Sequence, residues 1–191
     1  MMFPVDAFQN TLRKASECFD RLEIRFHLTG GITSILYGEP RMTQDIDLVI
    51  DPVATARQVD ELISSIQEAG FVCDEKSIHL AIETAGMFQL FDRTELLKLD
   101  IYPRELIPGE LDRSEQCEVF QKVIYPIASR QDTILSKLIW ISKGSHKSRR
   151  DLRQLWRNSS SNEKTFVRKY AQQVQQEALL DQVLMEQDEL E

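Results

Sequence analysis

The sequence has no long apolar run and contains few cysteines and histidines. No stretch approaches the roughly 18 consecutive apolar residues that a helix needs to cross a bilayer, so no membrane-spanning segment is expected. The cysteines and histidines are far apart in the sequence, at Cys18, Cys73, Cys117, His27, His79 and His146. Their spacing excludes a zinc site of the usual kind, and an odd, scattered set of cysteines is typical of reduced thiols in the cytoplasm.

The N-terminus lacks a basic region followed by an apolar run, so no secretory signal is expected. Of the 191 residues, 42% are hydrophobic, which is enough to bury one sizeable core with a helical appendage. These features together favour a cytoplasmic protein.

Apolar alternation predicts several short strands in the first two thirds of the chain. The candidates are Glu23–Leu28, Ile46–Ile50, Met87–Phe91, Leu96–Tyr102 and Val123–Ile127, with His79–Glu83 as a weaker one. Helices are predicted near residues 5–20, over 53–69 behind an Asp51-Pro52 cap, over 131–143 and onwards to the end. This organisation predicts an α+β protein with a core domain over 1–127 and a helical region over 128–191.

Two aspartates, Asp45 and Asp47, lie at the start of one predicted strand. Because side chains alternate along a strand, both carboxylates point to one face, opposite Ile46 and Leu48. Two such charges raise each other's pKa unless a cation neutralises them, and carboxylate oxygens are ligands that Mg²⁺ prefers. Alone, an aspartate at a strand end is more often a turn former or a helix cap.

A double glycine, Gly30-Gly31, lies between a predicted strand and a short helix predicted over 32–37. A strand, two glycines and a helix N-terminus place backbone N–H groups where a phosphate can bind. A bare pair of glycines is more simply a tight turn. With the two aspartates nearby, and with Asp100 as a third candidate acid on a later strand, the combination favours two-metal phosphoryl or nucleotidyl transfer.

The stretches Leu28–Ile32, Tyr37-Gly38 and Arg41–Leu48 together resemble the signature of minimal nucleotidyltransferases related to DNA polymerase beta, in particular the AbiEii-type branch. The resemblance covers roughly residues 20–155. It implies the nucleotidyltransferase fold, a mixed β-sheet flanked by helices with a C-terminal helical region. It also implies an enzyme that moves a nucleoside monophosphate from an NTP, such as ATP or GTP, to an acceptor hydroxyl.

The same resemblance implies roles for individual residues. Asp45, Asp47 and Asp100 would be catalytic and would bind Mg²⁺ or Mn²⁺. The nucleotide-binding residues would be Gly30, Gly31, Thr43, Lys137, Arg149 and Arg150. Many relatives have a serine directly after the first glycine, whereas this chain has the double-glycine variant of the AbiEii-type branch. Asp92 and Asp51 compete with Asp100 for the role of third acid, although Asp51 is better explained as a helix cap.

The net charge of -8 hides a basic block. From Gln121 to Tyr170 there are twelve Lys or Arg residues and three acidic ones, a local charge of +9 against -17 for the rest of the chain. The densest part, Lys143–Arg150, is either a solvated loop or a surface for the phosphates of a nucleotide or an RNA. Lys137 lies at the edge of a helical apolar stripe, so its stem either snorkels along the core or, as the resemblance implies, directs its ammonium to the nucleotide.

Some relatives are toxins of toxin and antitoxin pairs that modify RNA, so the resemblance also implies an RNA acceptor such as a tRNA and an antitoxin partner. Two other functions stay open: a catalytically silent nucleotide- or protein-binding module, and a metal-dependent phosphohydrolase. The crowded acids disfavour the first, and the double glycine with the basic helix disfavours the second. The acidic tail, Ala171–Glu191, is either a helix packed on the domain or a helix packed on a partner.

Overall fold

The computed structural model of the protein describes residues 5–39, 43, 45–120 and 123–187. The chain divides into two compact units. The first comprises Met1–Ile32 and Met42–Ala128, and the second comprises Thr33–Arg41 and Ser129–Glu191. Helix α2 (Gly30–Tyr37) therefore begins in the first unit and ends in the second.

The first unit is built on a mixed β-sheet, as predicted. Over the described residues its seven strands are β1 (Phe26–Thr29), β2 (Asp45–Ile50), β3 (Phe71–Val72), β4 (Phe88–Asp92), β5 (Lys98–Tyr102), β6 (Glu115–Phe120) and β7 (Val123–Ile127). Their order across the sheet is β3-β4-β5-β2-β1-β7-β6. Strand β2 is parallel to β5 and antiparallel to β1. One edge of the sheet, formed by strand ends, therefore contains the starts of β2 and β5 and the end of β1.

Alternation along the central strands separates an apolar face from a polar one. In β2, Ile46 and Leu48 are fully buried, whereas Asp45 and Asp47 are half-buried. In β5, Leu99 is fully buried in the same way. Since paired residues of neighbouring strands point to the same side of a sheet, the polar faces of β2 and β5 form one surface.

The helices of the first unit flank this sheet. They are α1 (Val5–Arg21), α3 (Pro52–Arg57), α4 (Val59–Glu68) and α5 (Glu75–Glu83), with a short 3-10 turn at Leu111–Arg113. Helix α1 buries an apolar stripe, in which Leu12 and Phe19 are fully shielded from solvent, and it packs against α4. Each such side chain contributes about 1.5–3 kcal/mol to folding, so the stripe holds α1 in place.

The predicted helix over 53–69 is interrupted. Gln58 has a non-helical φ of -133°, and its side-chain Nε2 donates to the Leu22 carbonyl over 3.0 Å, so the chain forms two helices instead of one. The predicted cap is confirmed, because Asp51 Oδ1 accepts from the N–H groups of Val53 and Ala54.

The weaker strand predicted over His79–Glu83 is wrong, because those residues form the end of α5. Asp74 caps this helix by accepting from the Lys76 N–H, and the buried residues Ile78 and Ala81 have helical spacing. Strands β3 and β6 were not predicted. Strand β6 lies at an edge of the sheet and its side chains are at most half-buried, so its sequence lacks apolar alternation.

The second unit is helical. Besides most of α2 it contains α6 (Arg130–Ser142), α7 (Lys147–Arg157), α8 (Ser161–Gln173) and α9 (Glu177–Met185). Helix α6 packs against the other three, and fully buried Leu180 and Val183 fix α9 among them. The described part of the acidic tail thus contains the end of α8 and all of α9, and α9 is packed on the protein itself. Among the described residues, no helix has the length and apolar character needed to cross a membrane.

Candidate active site

The double glycine forms a tight junction between β1 and α2. Gly30 has a φ of +67°, which residues with a side chain rarely adopt. The antiparallel register places Thr29 opposite Asp47, and a Cβ added to Gly30 would lie 2.1 Å from Asp47 Oδ2. Gly31 follows in the first turn of α2, where helices present backbone N–H groups to anions. Both backbone conformation and space therefore require glycine at position 30.

The three predicted acids come together on two neighbouring strands. In the parallel register of β2 and β5, Asp45 pairs with Lys98 and Asp47 pairs with Asp100. Asp47 and Asp100 are thus side by side on one face, with Asp45 two residues away on the same face. This geometry supports the sequence-based prediction that these carboxylates meet at a sheet edge.

A lysine that the sequence analysis did not single out lies between two of the acids. Lys98 Nζ is 3.0 Å from Asp100 Oδ2 and 3.3 Å from Asp45 Oδ1. Gln89 Nε2 donates to the other oxygen of Asp100 over 3.0 Å. Partial burial lowers the pKa of Lys98, but its hydrogen bond to Asp100 and the charges of Asp100 and Asp45 outweigh this and leave the pKa raised. The ammonium is therefore charged and shared by both carboxylates.

Tyr102 lies on the same face of β5, and the negative charge there affects the pKa of its phenol. Burial raises the pKa of its phenol, and the nearby charges of Asp47 and Asp100 raise it further, against the opposing effect of Arg104. The guanidinium carbon of Arg104 lies 5.9 Å from the centre of the Tyr102 ring. Lys98, Asp100 and Tyr102 are at alternate positions of one strand and therefore share a face. The sequence signal for Lys98 and Tyr102 is that each lies two residues from Asp100.

The donor set of the site suits a hard divalent cation, because it consists of carboxylate oxygens on rigid strands. In the described part of the chain, no group of three or more His, Cys, Asp or Glu side chains is arranged to hold a metal ion as it stands. The ammonium of Lys98 is a cation that contacts both Asp45 and Asp100. A positive charge thus fits between these acids, and Asp45, Asp47 and Asp100 are the residues that would hold Mg²⁺ or Mn²⁺.

The two competing aspartates have structural roles. Asp92 is fully buried, where Lys14 Nζ and Thr11 Oγ1 each donate to it over 2.9 Å. Burial raises the pKa of Asp92, but these donors and the backbone N–H groups of the following turn lower it more. Asp51 caps α3. Neither contributes to the group around Asp100.

The stretch before Asp45 is described in part. Thr43 Oγ1 donates to the Asp45 carbonyl over a long 3.4 Å, so Thr43 adjoins the acid strand. Arg41, Met42 and Gln44, which belong to the same sequence signature, lie outside the described residues.

The predicted lysine of the second unit forms a buried ion pair. Lys137 Nζ lies 3.0 Å from Asp151 Oδ2, and the two side chains are only 9% and 10% exposed. The ammonium therefore does not extend to solvent as a snorkelling lysine would. Asp151 on α7 thus fixes the position of Lys137 on α6.

The arginines predicted to bind phosphates have carboxylate partners within the second unit. Arg149 pairs with Glu186, which also accepts from Arg153 over 2.7 Å. Arg150 pairs with Glu39 over 3.1 Å. The acidic tail, whose acids have no basic partners within the tail itself, supplies Glu186 to this basic block. Much of the local positive charge is therefore balanced inside the protein.

The sequence matches a family model described as "Nucleotidyl transferase AbiEii toxin, Type IV TA system" over residues 15–190. No curated protein matches the sequence.

Solved structures with a similar fold include the antibiotic-resistance factor ANT(2'')-Ia and the lincosamide antibiotic adenylyltransferase LnuA. The solution structure of ANT(2'')-Ia is 17% identical with a TM-score of 0.58, covering 93% of this chain and 97% of that one. Its crystal structure with adenylyl-2''-tobramycin is 16% identical with a TM-score of 0.61, covering 88% and 99%. Lincomycin-bound LnuA is 15% identical with a TM-score of 0.53, covering 83% and 100%. At these identities the likeness shows the fold alone.

Proposed function

The chain belongs to the AbiEii family of nucleotidyltransferases, and on that premise we propose that it transfers a nucleoside monophosphate from an NTP to an acceptor hydroxyl with Mg²⁺ or Mn²⁺. The observation that carries this proposal is the group formed by Asp45, Asp47 and Asp100, with Gly30 against Asp47. A binding module without turnover gains nothing from crowding three carboxylates at one sheet edge, since like charges destabilise each other.

Each residue of the group has a part in the proposed reaction. The three carboxylates would hold the divalent ions, which would neutralise the triphosphate and lower the pKa of the acceptor hydroxyl. The backbone N–H groups at the start of α2, at Gly30 and Gly31, bind the phosphates. The acceptor oxygen forms a bond to the α-phosphorus as the bond to pyrophosphate breaks, and Asp100 takes up the hydroxyl proton. No protein nucleophile is required.

For the acceptor we propose an RNA, such as a tRNA, and for the partner an antitoxin protein, both in the cytoplasm. The support for the antitoxin is the family description, which names a toxin of a type IV toxin and antitoxin system, whereas the RNA acceptor is what the resemblance to RNA-modifying toxins implies. Two of the crystal structures with a similar fold were solved with an adenylylated tobramycin and with lincomycin, so a small hydroxylated molecule is the second acceptor class to examine.

The first test is calorimetric titration of each NTP with Mg²⁺. The wild type is compared with a double Asp45→Asn, Asp47→Asn variant and with Asp51→Asn, which changes a charge on the same segment but retains a helix cap. We expect metal-dependent binding in the wild type and the control and none in the double variant. Equal binding by all three proteins would remove these aspartates from the site.

Product analysis then identifies the reaction class. Incubation with α-labelled NTP and total RNA is expected to give labelled RNA and pyrophosphate. Release of free phosphate would indicate a phosphohydrolase, and binding without any product would indicate a catalytically silent module.

A further inference from the structure

Lys98 already occupies a position between two of the proposed metal ligands. Its Cα is paired with that of Asp45 across the β2 and β5 register, and it precedes Asp100 by two residues on the same strand face. Its Nζ contacts one oxygen of each acid, at 3.3 Å and 3.0 Å. The register places the Cα of Lys98 beside that of Asp45, so the side chain is within reach of both acids.

The oxygens of Asp100 are both engaged. Gln89 donates to Oδ1 and Lys98 to Oδ2, each over 3.0 Å, and the carboxylate of Asp100 is largely shielded from solvent. A divalent ion that binds Asp100 and Asp45 through these oxygens competes with the ammonium, because both cations need the same oxygens and repel each other.

We propose that Lys98 is the resident counter-cation of the acid group: it neutralises Asp45 and Asp100 before metal binds and is displaced when the first divalent ion enters. Lys98 thereby sets the metal concentration at which the site becomes competent. This inference rests on the proposed function, since it concerns metal binding by the same carboxylates.

Removing the charge of Lys98 has two opposite consequences. The metal-free protein loses the cation that separates two carboxylates, so it becomes less stable. The divalent ion loses a competitor and gains two uncompensated carboxylates, so it binds more tightly. Because the side chain of Lys98 is 36% exposed and its charge is partly screened, we expect an affinity gain of about threefold to tenfold.

The experiment measures Mn²⁺ binding to the full chain from the decrease of the free Mn²⁺ electron paramagnetic resonance signal. Lys98→Met removes the charge, Lys98→Gln is a second neutral variant that can still donate to the acids, and Lys98→Arg keeps a cation. Lys14→Met is the matched control, because Lys14 pairs with a buried aspartate, Asp92, in the same unit but away from the acid group. Thermal melting with and without Mn²⁺ accompanies each titration.

We expect both neutral variants to bind Mn²⁺ more tightly than the wild type. Without metal their melting temperatures should be lower than that of the wild type, and addition of Mn²⁺ should raise them by more. Lys98→Arg and Lys14→Met should keep the wild-type affinity. Suppose that the wild type binds Mn²⁺, that the Asp45→Asn, Asp47→Asn variant does not, and that the neutral variants bind it no more tightly than the wild type. That result overturns the role of Lys98 and leaves the proposed function standing. Absence of Mn²⁺ binding in every protein overturns the metal-dependent function and this inference with it.

Discussion

The α-carbon of Gly30 faces the carboxylate of Asp47 so closely that a methyl group on it would lie 2.1 Å from Oδ2. The contact links the proposed phosphate-binding turn to a proposed metal ligand, because a shift of one shifts the other. Strand pairing enforces it, since Thr29 and Asp47 are partners in the β1 and β2 register.

Gly30→Ala should therefore lower nucleotidyl transfer by about 100-fold, the usual scale for displacing a catalytic group by an ångström. Gly70→Ala is the matched control: Gly70 also has a positive φ, +88°, but nothing lies within 4 Å of an added Cβ. Both variants should lose about 1–2 kcal/mol of unfolding free energy from the strained backbone, and Gly30→Ala should lose more because its Cβ also displaces Asp47. Single-turnover rates and urea unfolding measure the two effects. Full activity in Gly30→Ala would show that the position of Asp47 is not critical.

The buried pair of Lys137 and Asp151 allows stability and function to be separated. Lys137→Met should cost about 3 kcal/mol in unfolding free energy, because it leaves a carboxylate buried without its ammonium partner. Adding Asp151→Asn removes that charge and should restore most of the stability.

If Lys137 binds the nucleotide, the double variant stays deficient in NTP binding by calorimetry despite its restored stability. A double variant that regains both stability and NTP affinity would assign Lys137 a purely structural role. Urea midpoints are measured on the same preparations.

Local patterns in the sequence were sufficient for much of the fold. The alternation that places Asp45 and Asp47 on one face is a property of a single strand, and β7 has the predicted bounds. The family inferred from the glycine and aspartate signature is confirmed by the family match. The strand predicted at His79–Glu83 is wrong because five residues are too few to distinguish alternation from helical spacing. The cap formed by Asp74 favours a helix there.

Contacts between distant segments could not be predicted in this way. That Lys98 lies between Asp45 and Asp100 depends on the register of two strands that no local pattern encodes. The same holds for the basic block, whose Arg149 meets a carboxylate of the tail, Glu186. Counting charges along the chain gives their number but not their partners.

The buried side chain of His27 should make the folded protein less stable in mild acid. It is fully buried, its Nδ1 is 2.8 Å from Ser114 Oγ, and its Nε2 has no hydrogen-bond partner among the described residues. Burial, with a contribution from the charge of Arg113, lowers the pKa of His27 to about 3. The folded protein therefore keeps His27 neutral while the unfolded chain takes up a proton below its ordinary pKa of about 6.5.

The unfolding free energy should fall by about 1.4 kcal/mol per pH unit below pH 6.5, a loss of about 2 kcal/mol by pH 5. His27→Gln should flatten this dependence, whereas His79→Gln, at a half-exposed histidine, should not. Urea unfolding at pH 7, 6 and 5 gives the slopes. An unchanged slope in His27→Gln would mean that His27 binds its proton equally in the folded and unfolded protein, and a steeper slope would mean that it is charged when folded, paired with Glu110, whose Oε2 lies 3.7 Å from Nε2.

Among the tail acids that the structure describes, Glu186 should contribute most to the stability of the second unit. Glu186 accepts from Arg149 and from Arg153, whose side chain is 8% exposed, whereas Asp181 pairs with Arg168 where both side chains are more than 40% exposed. Since charged hydrogen bonds to a buried group contribute about 2 kcal/mol and exposed ion pairs under about 1 kcal/mol, the two acids should differ in effect.

Glu186→Gln should therefore lower the unfolding free energy by about 2 kcal/mol and Asp181→Asn by less than about 0.5 kcal/mol. Both tryptophans of the chain, Trp140 and Trp156, lie in the second unit, so their fluorescence during urea unfolding reports on this part of the protein. Equal, small effects of the two substitutions would show that the pair on Arg153 adds nothing beyond a surface contact, and α9 would then be held by the burial of Leu180 and Val183 alone.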